Sequence, residues 1–71
     1  METKEVHGYK VMYDDRSESG ADYLRDDLSY QEAGVFFEYA KRHGEAQFED
    51  DDDRELTLHW KNGVFILKRR D

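Results

Sequence analysis

The sequence predicts one small α+β domain, with a single helix packed on an antiparallel sheet in the order β-loop-α-β-β-β. Three observations predict it. A strongly capped amphipathic helix occupies the middle of the chain, an Asn-Gly turn joins two apolar runs in the last third, and 71 residues leave no room for a second core.

The helix is placed from about Ser29 to His43. Ser29 and Glu32 have the spacing of a capping box, in which each side chain satisfies an orphan backbone N–H of the other residue. Leu28 and Ala33 occupy the positions of a hydrophobic staple. Lys41, Arg42 and His43 set cations against the negative end of the helix dipole, and Gly44 suits a left-handed cap. At 100° per residue, Tyr30, Ala33, Phe36, Phe37 and Ala40 form one apolar stripe. Val35 and Tyr39 lie nearly opposite, outside that core.

Asn62-Gly63 is the favoured pair for a type I′ turn. Folding about it pairs Lys61 with Val64, Trp60 with Phe65, Leu58 with Leu67 and Leu56 with Arg69, with His59–Ile66, Thr57–Lys68 and Glu55–Arg70 alternating between them. Directly opposed residues share a face, so Leu56, Leu58, Trp60, Phe65 and Leu67 turn inward together. Val64 and Ile66 fall on the outer face. A shorter strand, about Glu45 to Glu49, precedes the hairpin with Ala46 and Phe48 inward, and Asp50 to Asp53 turn the chain into Leu56. Val6 to Tyr13 reads as one strand with Tyr9, Val11 and Tyr13 on its inner side. Asp14 to Asp27 reads as a loop, in which Ser17-Glu18-Ser19-Gly20 is loop-like and Tyr23 and Leu24 are suited to anchor a short helical turn.

Composition narrows the function. Charged residues make up 41% of the chain and hydrophobic ones 37%, near the border of disorder, but ten aromatic residues supply large buried areas to hold a core. There is no cysteine, which excludes a disulfide scaffold and thiolate metal sites. No apolar run matches a signal h-region or a membrane span, so the expected location is cytoplasmic and no membrane partner is expected. The net charge of −7 disfavours direct contact with nucleic acid and favours a basic protein surface.

Catalytic patterns are lacking. His7, His43 and His59 are scattered, and no two have the i, i+4 spacing of a helical zinc site. No serine stands in an elbow motif, no glycine-rich phosphate loop is present, and so small a domain has little room for a water-excluding cleft. No enzyme activity, cofactor or metal is therefore expected. Glu49-Asp50-Asp51-Asp52-Asp53 lacks the alternation and central glycine of a calcium loop and reads as a solvated turn, neutralised in part by Lys68, Arg69 and Arg70 at the same end of the hairpin. The first acidic segment has fewer opponents. Asp14, Asp15, Glu18, Asp22, Asp26 and Asp27 face only Arg16 and Arg25, and with the outward Val35 and Tyr39 they form the expected partner-binding set.

These features together predict a non-enzymatic protein-binding domain, an inhibitor or regulator that occupies a basic, nucleic-acid-binding surface of a partner protein. By class analogy, nucleic-acid mimics and phage-encoded anti-defence inhibitors of the anti-CRISPR type share the small size and acidity. The rival expectation is a homodimeric assembly module that uses the outer apolar faces of helix and sheet, with acidity serving solubility.

Overall fold

The computed structural model describes residues 1–70 and shows an α+β architecture, two helices on one face of a five-stranded mixed sheet. The strands are β1 (Glu2–Val6), β2 (Tyr9–Tyr13), β3 (Glu45–Glu49), β4 (Glu55–Lys61) and β5 (Val64–Arg69). Helix α1 (Glu18–Asp22) continues directly into a π-helical turn, Tyr23–Asp27, and α2 spans Tyr30–His43. Across the sheet the order is β1-β2-β5-β4-β3.

Local chemistry explains the elements that the sequence predicts best. The Ser29 side chain accepts from the Glu32 N–H at 3.1 Å while Glu32 accepts from the Ser29 N–H at 2.8 Å, closing the capping box. At the other end Gly44 is left-handed, and its N–H donates to the Ala40 carbonyl at 2.7 Å. Asn62 and Gly63 both have positive φ, as the type I′ turn requires, and the β4–β5 register follows with Trp60 opposite Phe65 and Leu58 opposite Leu67.

The amino-terminal segment departs from expectation. Val6 to Tyr13 is not one strand: His7 and Gly8, with φ of 53° and 87°, turn the chain back, and β1 pairs antiparallel with β2. His7 is enabled as a turn residue by its side chain, which leaves the hairpin and donates from Nε2 to the carbonyls of Leu24 (2.9 Å) and Leu28 (3.1 Å). One imidazole thus ties the first hairpin to the helical layer. The sheet is mixed because β2 runs parallel to β5, with Val11 opposite Phe65 and Tyr13 opposite Leu67. A parallel neighbour demands a long crossover, here made by the helices and the β3–β4 hairpin.

Within Asp14–Asp27 only the first four residues form a turn; residues 18–27 are helical, which bears out a helical turn at Tyr23 and Leu24 but not the loop expected at residues 18–20. Ser17 is fully buried, and its hydroxyl bridges the Leu67 carbonyl and the Asp14 carboxylate at 3.0 Å each. Gly20 lies inside α1 where a side chain would crowd two leucines. A Cβ there would stand 2.7 Å from Leu56 Cδ1 and 3.1 Å from Leu67 Cδ2, and both leucines are fully buried.

One core joins these parts. Phe37 is fully buried, stacked on Tyr9 at 4.2 Å and edge-on to Phe65 at 4.7 Å. Ala33, Ala40, Leu24, Leu56, Leu58 and Leu67 are buried around it, with Ala46 and Phe48 inward from β3. Four expected core members sit further out, and of these Tyr9 and Phe36 are half-buried against the core. Tyr30 is exposed at the start of α2, where the apolar stripe runs off the edge of the sheet, and Trp60 is half-buried at the rim, with the Lys41 ammonium 5.3 Å above its ring. Val64 and Ile66 lie on the outer face and are half-buried rather than free, flanked across the strands by Lys61, His59 and Met12.

Candidate functional site

The sheet topology brings the two acidic segments together. β2 ends and β4 begins at the same end of the sheet, so Asp14–Asp27 leaves where Asp50–Asp53 enters. Asp27 feels the charges of the second segment. Its carboxyl is pushed above the usual aspartate range, first by loss of hydration, then by the charge of Asp51 and a hydrogen bond shared with it, with Asp26 and Asp52 adding repulsion. The two runs form one acidic region, which the sequence alone separates by more than twenty residues.

Within that region the acids divide by what already holds them. Asp14 accepts at Oδ1 from the N–H groups of Arg16 (3.1 Å) and Ser17 (3.0 Å), and its carboxyl is held below the ordinary range chiefly by Ser17. Asp22 pairs with Lys4 at 2.7 Å and with Arg25 at 3.4 Å. Asp26 receives Arg25 as a two-point fork at 2.9 Å from Nε and Nη2, which lowers its pKa. Asp15 and Glu18 are exposed on the turn and first residue of α1. Thus Asp15, Glu18 and the Asp27–Asp51 pair present the open charge, while Asp14 and Asp22 serve the fold as well.

The Asp50–Asp53 turn is built by its own chain. Asp50 is 5% exposed and accepts at Oδ1 from the N–H groups of Asp52 (2.9 Å) and Arg54 (3.0 Å). Its buried Oδ2 has no hydrogen bond but lies 3.4 Å from Arg54 Nε, which supplies the counter-charge. Arg54 also pairs with Asp52. The sequence looks to Lys68, Arg69 and Arg70 for this neutralisation, but the nearer cation is Arg54, and the Arg70 guanidinium donates to the Leu56 carbonyl at 3.4 Å. Arg54 directly follows the acidic run, so its adjacency is the available signal, and the tight turn made by Asp50 is what brings the two together. Among the described residues no group of three or more His, Asp or Glu side chains is arranged to hold a metal ion.

Val35 and Tyr39 stand apart from these acids on the outward side of α2, 67% and 53% exposed. The three histidines do not converge. His7 is committed to backbone carbonyls, the His43 ring lies 4.3 Å from that of Tyr39, and His59 Nδ1 is 3.9 Å from Glu45. No helix among the described residues is long and apolar enough to cross a membrane.

Fold and surface together define a two-layer α+β domain with one concentrated acidic region and a separate apolar patch on its longer helix. No protein-family model, curated protein or solved structure matches the chain.

Proposed function

We infer that this protein is a non-catalytic binding domain that occupies a basic, nucleic-acid-binding surface of a partner protein and so acts as an inhibitor or regulator. The observation that supports it is the merging of Asp14–Asp27 and Asp50–Asp53 into one region around the Asp27–Asp51 pair. Holding like charges together costs the folded state stability, and a basic partner relieves that cost on binding. The reading needs no cofactor and no bound metal.

The test follows from electrostatics. A partner captured from the native host is titrated with the wild-type chain and with a variant carrying Asp15→Asn, Asp27→Asn, Asp51→Asn and Asp53→Asn. The expected result is steep weakening of wild-type binding with added salt, with the variant about tenfold or more weaker at low salt and converging on wild type at high salt. Release of nucleic acid from the partner by the wild-type chain is the matching functional readout. Equal affinity of the two chains at every salt concentration overturns the reading. The exposure of Val35 and Tyr39 favours a second reading, a homodimeric assembly module. It requires salt-insensitive self-association in sedimentation that Tyr39→Ala abolishes.

A further inference from the structure

β3 is an edge strand, and its two sides differ. The Trp60 N–H donates to the Gly44 carbonyl at 2.9 Å and the Asp50 N–H to the Arg54 carbonyl at 3.1 Å, which sets the phase of the β3–β4 ladder. Ala46 and Phe48, in the same phase, bond inward to β4. The backbone N–H and C=O groups of Glu45, Gln47 and Glu49 therefore point away from the sheet, as an open template. Directly above this edge α2 is fixed by Phe36, whose ring lies 5.2 Å from that of Phe48. Between helix and strand edge runs a groove of about 410 Å³, walled by Val35, Phe36, Tyr39 and His43 on the helical side and by the β3 edge itself, Glu45, Ala46 and Gln47, on the other.

The other edge of the sheet is guarded. β1 turns Lys4 toward the helical layer, where it pairs with Asp22 at 2.7 Å and lies 5.0 Å from the Tyr13 ring. An inward charge of this kind deters strand addition. β3 has alanine and phenylalanine in the corresponding inward positions and exposed apolar residues beside it.

We propose that the β3 edge and its groove bind an extended peptide segment of a partner protein, one that alternates apolar and lysine or arginine residues, as a sixth strand. Strand addition places alternate side chains on opposite faces. Those on the helical side enter the groove against Val35 and Tyr39. Those on the other side come to lie beside Glu45 and Glu49, which the β3 register puts on the outer face with Gln47 between them. The acids select basic residues at these positions. A second copy of the chain fits this edge less well: antiparallel pairing of β3 with itself centred on Gln47 sets Glu45 directly against Glu49 of the partner subunit, twice, and opposed like charges destabilise a ladder. The inference stands on this groove and not on the acidic region around Asp27.

The probe is a capped seven-residue peptide alternating lysine and valine, titrated to about 1 mM, where even weak strand addition is visible. Backbone amide shifts are read by NMR at fixed ionic strength. Expected shifts and slowed exchange centre on Glu45, Gln47 and Glu49. N-methylation of the peptide amides that face β3 weakens binding about tenfold or more, while methylation of the alternate amides does not. Val35→Lys, at an exposed position, abolishes binding without unfolding the chain. Glu45→Lys with Glu49→Lys switches preference to the glutamate–valine peptide. Shifts confined to Asp26, Asp27 and Asp51–Asp53 and untouched by Val35→Lys overturn the groove and leave the acidic-surface reading standing. Equal loss on methylating either set of amides, or concentration-dependent self-association through β3 in place of peptide binding, also overturns it. Loss of salt-dependent partner binding in the Asp-to-Asn variant, with peptide shifts at β3 intact, separates the two sites.

Discussion

Asp14 and Ser17 hold each other in a closed set of bonds, and that set has a pH signature. The Asp14 pKa is lowered, chiefly by the Ser17 hydroxyl, so its ionised form contributes stability above the ordinary aspartate range, and this is lost as pH falls through the lowered value. Asp27 has the opposite sign. Its pKa is raised, so between the ordinary and the raised value the folded chain keeps a proton that the unfolded chain has released, and stability falls as pH rises through that window. Asp27→Asn is therefore expected to raise the melting temperature at pH 7 and flatten its dependence on pH, whereas Asp14→Ala lowers it. Thermal melts of the two variants between pH 3 and 8 check the pair of signs, and a lower melting temperature for Asp27→Asn contradicts the like-charge contact with Asp51. Gly20 makes a steric case at the same scale. With Leu56 and Leu67 fully buried around the missing Cβ, Gly20→Ala is expected to cost about 1–3 kcal/mol by overpacking, measured by denaturant unfolding.

At the scale of elements, α2 has two faces with different duties, and truncation separates them. Phe37→Ala removes a ring in contact with both Tyr9 and Phe65 and is expected to cost about 3–5 kcal/mol. Tyr39→Ala, at 53% exposure, is expected to change stability by about 0.5 kcal/mol or less. Equal losses in urea melts contradict the assignment of faces. The contrast was legible in the sequence because periodicity and capping are local, and so was the β4–β5 register, set by Asn62-Gly63 and by alternation within a few residues. The β1–β2 hairpin was not legible, because Glu2 to Glu5 are polar or charged, only Val6 of β1 is fully buried, and His7 takes its left-handed position with the help of carbonyls seventeen and more residues away. α1 was hidden for the same kind of reason. Ser17 and Gly20 are loop formers in isolation, and the Leu67 carbonyl and the two leucines that favour them come from the far end of the chain. The candidate sites share this limit. The acids, Val35 and Tyr39 could be named from the sequence, but the Asp27–Asp51 approach and the edge position of β3 both depend on the parallel pairing of β2 with β5.

At the scale of the whole molecule, charge is distributed along the strands. Lys61 and the cations at the carboxy-terminal end of α2 lie by the end of β4 opposite to Asp50–Asp53, a separation of roughly 20 Å over its seven residues. The longest dimension is 26 Å, about three Debye lengths at physiological salt, so there the two ends act almost independently and the acidic region mainly repels itself. Self-repulsion in a chain of net charge −7 opposes compactness, and screening relieves it. The melting temperature is therefore expected to rise as sodium chloride is raised from about 10 mM to about 150 mM. Removing one acid from each segment, with Asp27→Asn and Asp51→Asn together, is expected to raise the low-salt melting temperature and to take away much of that salt dependence. Lys4→Met provides the opposing control. It deletes the 2.7 Å pair with Asp22, leaves Arg25 with more acids to offset, and is expected to steepen the rise. Binding to a basic partner runs the other way, weakening as the same screening acts on attraction across the interface. The acids that make the isolated fold prefer salt are thus the ones that make its association avoid salt. A melting temperature that falls over this range in the wild-type chain means that attraction between the two ends outweighs repulsion within the acidic region, and it removes the electrostatic basis of the proposed function.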